Sequence, residues 1–121
     1  MKALLINATD KTITPVEYSG DYRTIYDHIG CELFDVVYAE VGGHKVSIFV
    51  DDEGLLNAPQ AFFLLPGWPQ PLAGNALVLG DVDEEGETLG LPDEVTDIPG
   101  LKFLNIAQAI AFAHGLPYER A

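Results

Sequence analysis

Residues Glu32–Val50 read ELFDVVYAEVGGHKVSIFV, two runs of alternating side chains separated by Gly42-Gly43. In the first run Phe34, Val36 and Tyr38 alternate with Asp35, Val37 and Ala39. In the second, Val46, Ile48 and Val50 alternate with Lys45, Ser47 and Phe49. A period of two puts successive side chains on opposite faces of a strand. A Gly-Gly pair takes the positive φ that a two-residue hairpin turn demands. The stretch therefore predicts a β-hairpin with Val46, Ile48 and Val50 on one face.

Upstream, a helix is predicted over 21–29. Tyr22, Ile25, Tyr26 and Ile29 recur at three- and four-residue spacing, Ser19 or Asp21 is placed to cap, and Gly30 supplies a left-handed stop. Before it, Ala3–Asn7 and the β-formers of Thr12–Tyr18 suggest strand, turn and strand, with Pro15 confining the second to an edge. Downstream, Ala61–Leu65 is an apolar run of strand length, and Pro66-Gly67-Trp68-Pro69-Gln70-Pro71 interrupts regular structure. Ala73–Gly80 is a further strand, and a loop rich in Gly, Pro and acid covers 81–100. A short strand at 101–104 precedes a second helix over 105–114. Asn105 and Gln108 make a capping box there, and Ile106, Ala109, Ile110 and Ala113 form one apolar stripe. About six short strands in an antiparallel or mixed sheet with two helices make a single α+β domain over 1–121.

Composition narrows function. With 121 residues and 48% hydrophobic content the chain has enough apolar material for one core. Its 19 acidic against 6 basic side chains give a net charge of -13 and a pI near 4.2. Phosphate backbones are repelled by such a surface, and the six cations are scattered singly, so direct nucleic-acid binding is not expected. A basic protein or a cation is attracted instead. The single cysteine, Cys31, provides neither a disulfide nor a CxxC pair. The N-terminal MKALLINATD lacks the pattern of a signal peptide, and no apolar run reaches membrane-spanning length. A cytoplasmic protein with no membrane partner is expected.

Several short motifs carry a family resemblance: Ile29-Gly30, Val41-Gly42-Gly43, Asp52-Glu53-Gly54, and Gly74-Asn75-Ala76-Leu77-Val78-Leu79-Gly80 followed by a second acidic glycine turn. From about Tyr22 to Gly86 this order resembles the DUF3846 family, small proteins of phages, plasmids and bacteria. The resemblance implies no activity, cofactor or catalytic residue. It implies a phage or mobile-element setting, in the host cytoplasm, and favours an interaction protein over an enzyme.

Two acidic turns are the most conspicuous chemistry, VDDEGLL at Val50–Leu56 and VDEEGETL at Val82–Leu89. Asp81-x-Asp83-x-Glu85-Gly86 reproduces the opening of a calcium loop, where alternating oxygen ligands wrap the ion. The twelfth position, which needs a bidentate Glu, is Pro92. Asp81, Asp83 and Glu85 are thus metal candidates in an incomplete pattern, and no resident metal or cofactor is expected. Paired carboxylates also serve glycoside hydrolysis, but that chemistry needs one of them buried. Cys31 follows a helix C-terminus, whose dipole raises a thiol pKa. His28, His44 and His114 fall in no catalytic or metal spacing, and no phosphate-binding glycine motif occurs. Trp68, fenced by three prolines, is either a plug on the core or an anchor for a partner.

The leading expectation is a non-enzymatic acidic protein that binds another macromolecule. In its sharper form, Asp51, Asp52, Glu53, Asp83, Glu84 and Glu85 make one anionic face for a basic host protein, with Trp68 as an anchor. The alternatives are a small carboxylate-dependent hydrolase or cation-binding protein, and an accessory protein that self-associates into a homo-oligomer. What separates them is geometric: whether the two turns share one sheet edge.

Overall fold

The computed structural model describes residues 1–53 and 61–118. Strands β1 (Lys2–Asn7) and β2 (Thr12–Glu17) precede helix α1 (Arg23–Ile29), and β3 (Phe34–Val41) and β4 (His44–Asp51) follow it. Then come β5 (Ala61–Leu64), β6 (Leu72–Ala73), β7 (Asn75–Leu79), β8 (Lys102–Asn105) and helix α2 (Ile106–Ala113). The strands form a five-stranded sheet in the order β2-β1-β7-β4-β3 and a three-stranded sheet in the order β6-β5-β8. Every pairing in both is antiparallel. The α+β class is as expected, with the strands divided between two sheets and not gathered in one.

The predicted hairpin is the right-hand margin of the large sheet. Val41 pairs with His44 across a turn in which Gly42 and Gly43 have φ of 58° and 83°, values an L side chain rarely adopts. This register places Val46, Ile48 and Val50 in a core shared with Leu4, Ile6, Ala76 and Val78. Phe49 falls on the reverse face with Leu77 and Leu79, against Ile25 and Ile29 of α1. Strand β4 is therefore buried on both sides. Gly30 ends α1 at φ 70°, where its N–H bonds the Tyr26 carbonyl. The helix starts two residues later than expected and neither Ser19 nor Asp21 is its cap: Tyr22 holds that position without a side-chain cap bond, while Asp21 accepts the Arg23 N–H at 3.0 Å and Ser19 that of Asp21 at 3.2 Å. At the opposite margin, Pro15 lies opposite Leu4 on edge strand β2.

The second sheet covers the first. Phe63, fully buried, and Leu65 enter the Val46/Ile48/Val50 core from β5 and the residue that follows it. The other face of β5, Phe62 and Leu64, packs with Leu104 and Ala109 beneath α2. The layers run α1, large sheet, small sheet, α2. The capping box forms as expected, Asn105 accepting the Gln108 N–H at 2.8 Å and Gln108 that of Asn105 at 2.9 Å. The expected stripe is not what α2 buries. Ile106 and Ile110 are 42% and 54% exposed, and Ala109 with Phe112 makes the contact. A two-turn helix of sequence IAQAIAFA is apolar nearly all round, so its periodicity does not select a face.

The long segment after β7 is a folded cover for the core. Leu91, Val95 and Ile98 are buried in it, and Leu91 donates its N–H to the Lys2 carbonyl at 2.9 Å. Gly80 sits so close to the Gly90 carbonyl that any Cβ would collide with it. Only glycine allows this crossing.

Among the described residues Ser47 is the one buried polar side chain, 1% exposed on β4, and its hydroxyl has no hydrogen-bond partner. An unpaired buried hydroxyl costs roughly 1–3 kcal/mol. Ser47→Ala removes it with little loss of volume and is expected to raise stability in urea unfolding by about 1 kcal/mol. A loss of that size would contradict the assignment of the hydroxyl as unpaired.

Candidate functional site

Strands β4 and β7 pair antiparallel, Ser47 against Leu79 and Val50 against Ala76. Each acidic turn follows the C-terminal end of one of them. The turns therefore lie at opposite ends of the sheet: in this register Asp81 falls level with Lys45, six residues before Asp51, or about 20 Å along the strand direction at 3.3 Å per residue. The single anionic face expected from Asp51, Asp52, Glu53, Asp83, Glu84 and Glu85 is not assembled. Antiparallel neighbours send their C-terminal ends opposite ways, which a linear sequence does not declare.

The second turn is a small hairpin. Val82 bridges Thr88, and Asp83 Oδ1 accepts the N–H groups of Glu85 and Glu87, each at 2.9 Å. Asp83 is thus occupied in shaping the turn, and Glu84 and Glu85 point to solvent. Glu87 lies near enough to Tyr18 for its charge to help raise that phenol's pKa, after burial and the Asp21 carboxylate. Asp81, Asp83 and Glu85 do not converge. Among the described residues no three His, Cys, Asp or Glu side chains are placed to hold a metal ion.

The first turn stands elsewhere and has different company. Asp52 donates its N–H to the Leu33 carbonyl at 3.0 Å, extending the β3–β4 ladder by one step. Asp51 Oδ1 accepts the Glu53 N–H at 2.9 Å. Gly54, Leu55 and Leu56 of the quoted motif lie outside the described residues. Beside this turn opens a cleft of about 320 Å³. Asp35, Asp51 and Asp52 line it together with Val37, Trp68 and Pro71. The structure thus gathers two expected partner-binding elements, the first acidic turn and Trp68, at one place.

Trp68 is neither plug nor free anchor. It is half-buried, packing on the main core while also lining the cleft, and its backbone N–H bonds the Leu65 carbonyl at 3.0 Å. Asp35 is the residue that sequence reasoning passed over. It shares a strand face with Val37 and Ala39, which pack on the core, and pairs with buried Val50. A carboxylate at a core-facing position of an alternating strand was the available signal. A cleft with apolar walls and carboxylates at its rim is suited to a lysine or arginine side chain, whose stem needs apolar cover and whose head needs an anion or an indole.

Cys31 lies on the reverse face, where its N–H bonds the Tyr26 carbonyl. Burial pushes its thiol pKa up, and the Asp51 carboxylate pushes it further. The direction expected from the helix terminus holds, with burial as the main cause. His28, His44 and His114 sit on α1, at the hairpin turn and after α2, on three separate elements. A raised pKa leaves little thiolate at neutral pH, so alkylation of Cys31 by iodoacetamide should be slower than that of free cysteine, its rate rising at a higher pH. Asp51→Asn should move that pH midpoint down. A midpoint below that of free cysteine would contradict this.

No helix among the described residues is long and apolar enough to cross a membrane. No curated protein and no solved structure matches the chain. The family model described as a domain of unknown function, DUF3846, matches residues 1–104, a longer stretch than Tyr22–Gly86, and takes in β1 and β2 as well as the start of β8. By that match, extending from the first strand into β8, the chain belongs to the DUF3846 family.

Proposed function

We propose that this protein is a non-enzymatic binding module whose partner is a protein with a basic surface, engaged at the cleft between the first acidic turn and Trp68. The observation that carries this is the meeting of Asp35 and Asp52 with Trp68 around one concavity. The net charge of -13 adds a long-range attraction that accelerates encounter with a cationic partner. The setting that fits the family is a phage or mobile element acting in its host's cytoplasm. Direct nucleic-acid binding and membrane attachment are not part of this proposal.

The burial pattern favours binding over carboxylate catalysis. General acid work at neutral pH needs a carboxyl sheltered from water, whereas Asp35 and Asp52 are exposed. A binding surface has the opposite need, since a carboxylate beside an apolar wall must be open to the incoming cation. Separation of the two acidic turns replaces one broad anionic face with two smaller ones. The functional charge is local to one end of the sheet, and the Glu84/Glu85 hairpin contributes to solubility and to the overall field.

The test exploits that separation. Titrating an arginine-rich peptide at low salt should shift Trp68 emission with saturation, and a glutamate-rich peptide should not. Asp35→Asn with Asp52→Asn should weaken binding about tenfold, equivalent to about 1.4 kcal/mol. Glu84→Gln with Glu85→Gln removes the same charge from the far hairpin and should weaken binding by less than about threefold, a screened long-range effect. Equal losses from the two pairs would sink the cleft proposal and leave only nonspecific attraction.

A further inference from the structure

The cleft opens beside an unusual sheet margin. Edge strands expose unpaired backbone groups, and proteins blunt them by shortness, proline, charged side chains or covering elements; the charges on β3, Asp35 and Glu40, are both acidic and so deter an acidic strand without deterring a cationic one. The β2 margin carries Pro15. The β3 margin is eight residues long, has no proline, and has no strand beside it among the described residues. The tight turn makes Val41 and His44 a hydrogen-bonded pair, and Asp52 N–H to Leu33 O continues the same alternation. Odd-numbered β3 residues therefore bond β4, and the backbone groups of Val36, Tyr38 and Glu40 point outward. The Val36 N–H is held at 2.8 Å by Asp35 Oδ1. Those of Tyr38 and Glu40 have no partner among the described residues.

Side chains sort in the same way. Asp35 and Val37 face the cleft, while Tyr38, on the reverse face, is 63% exposed. An exposed aromatic on a long open edge, backed by an acidic cleft, is suited to strand addition. In that mode of recognition main-chain bonds supply affinity and alternate side chains supply specificity.

We propose that the partner's binding segment is an extended cationic peptide that adds antiparallel to β3 as a sixth strand. Its basic side chains project on the cleft side beside Asp35 and Trp68. This rests on the cleft being the binding site, and it names the partner's conformation. The intervening residues of the segment fall on the side of Val36 and Tyr38 and are apolar. Charge selects this occupant over a second copy of the chain, which would bring another net charge of -13 to the same margin. When Asp35 turns to the incoming cation it releases the Val36 N–H, which lengthens the ladder from two outward pairs to three.

Antiparallel addition makes a register-specific prediction. Peptide residues opposite Val36, Tyr38 and Glu40 exchange hydrogen bonds with β3, and residues opposite Asp35, Val37 and Ala39 turn their N–H groups away. The probe is an eight-residue peptide alternating arginine and valine, followed by Trp68 emission and by amide exchange of the ¹⁵N-labelled protein. Binding should protect the Tyr38 and Glu40 amides. N-methylation of the valines should weaken binding by more than about tenfold, because several N–H donors are lost, whereas N-methylation of the arginines should change it by less than about threefold. If valine methylation is harmless while Trp68 still responds, strand addition is wrong and the cleft proposal stands. If no peptide perturbs Trp68, both fall. Protection of Tyr38 and Glu40 in the peptide-free protein, rising with concentration alongside a doubled mass, would assign the margin to a second copy and overturn the proposal.

Discussion

Strands β4 and β7 run antiparallel through the middle of the large sheet, Ile48 against Val78 and Phe49 against Leu77, and both strands are shielded from water on both faces. Helix α1 covers one side and the small sheet the other. Burying a large aliphatic or aromatic side chain contributes roughly 1.5–3 kcal/mol, and these two strands bury both of their faces, so their pairing carries much of the core. A one-residue slip would exchange the two cores, setting Val46, Ile48 and Val50 against α1 and Phe49 against the small sheet. Everything attached to the ends of these strands inherits its position from that pairing.

The two acidic turns illustrate the consequence. Each follows a central strand, and each is shaped by an aspartate that accepts amide hydrogens two or more residues ahead. Their sequences are alike, but their surroundings differ. The Asp83 hairpin projects past the end of β7 near Tyr18, whereas the Asp51–Glu53 turn meets the Trp68 loop and the start of β3. Charge that a composition count treats as one quantity is divided by the sheet between its two ends.

Local signals were legible wherever one side chain or one turn decided the structure. Gly42-Gly43 declared the hairpin, Pro15 the edge strand, Gly30 a helix end, and Asn105 with Gln108 a helix start. The sequence is less informative where the choice depends on distant partners. Ala61–Leu64 is apolar at every position, so its strand character was evident, but which sheet it joined and which face met α2 were not. Helix α2 poses the same difficulty: Phe112 packs on the Phe62/Leu64 cluster and Ile110 is exposed, a choice its nearly uniform apolar sequence does not encode. The cleft joins Asp35 to Trp68 across half the fold, a meeting made by the stacking of one sheet on another. Trp68 was conspicuous beforehand because it is the only tryptophan. Asp35 shares its strand face with Val37 and Ala39, but Phe34, Val36 and Tyr38 offer an equally apolar face, so alternation alone does not say that Asp35 faces the core.

Antiparallel pairing of β4 and β7 holds the acidic turns at opposite ends of one sheet. Spin labels at Asp52→Cys and Glu85→Cys, in a Cys31→Ala background, report that separation by pulsed dipolar spectroscopy. Antiparallel β4–β7 pairing predicts a single population at about 25 Å or beyond, from six residues of strand at 3.3 Å each plus the projection of the hairpin. A dominant distance under about 15 Å would place both turns on one edge and contradict it.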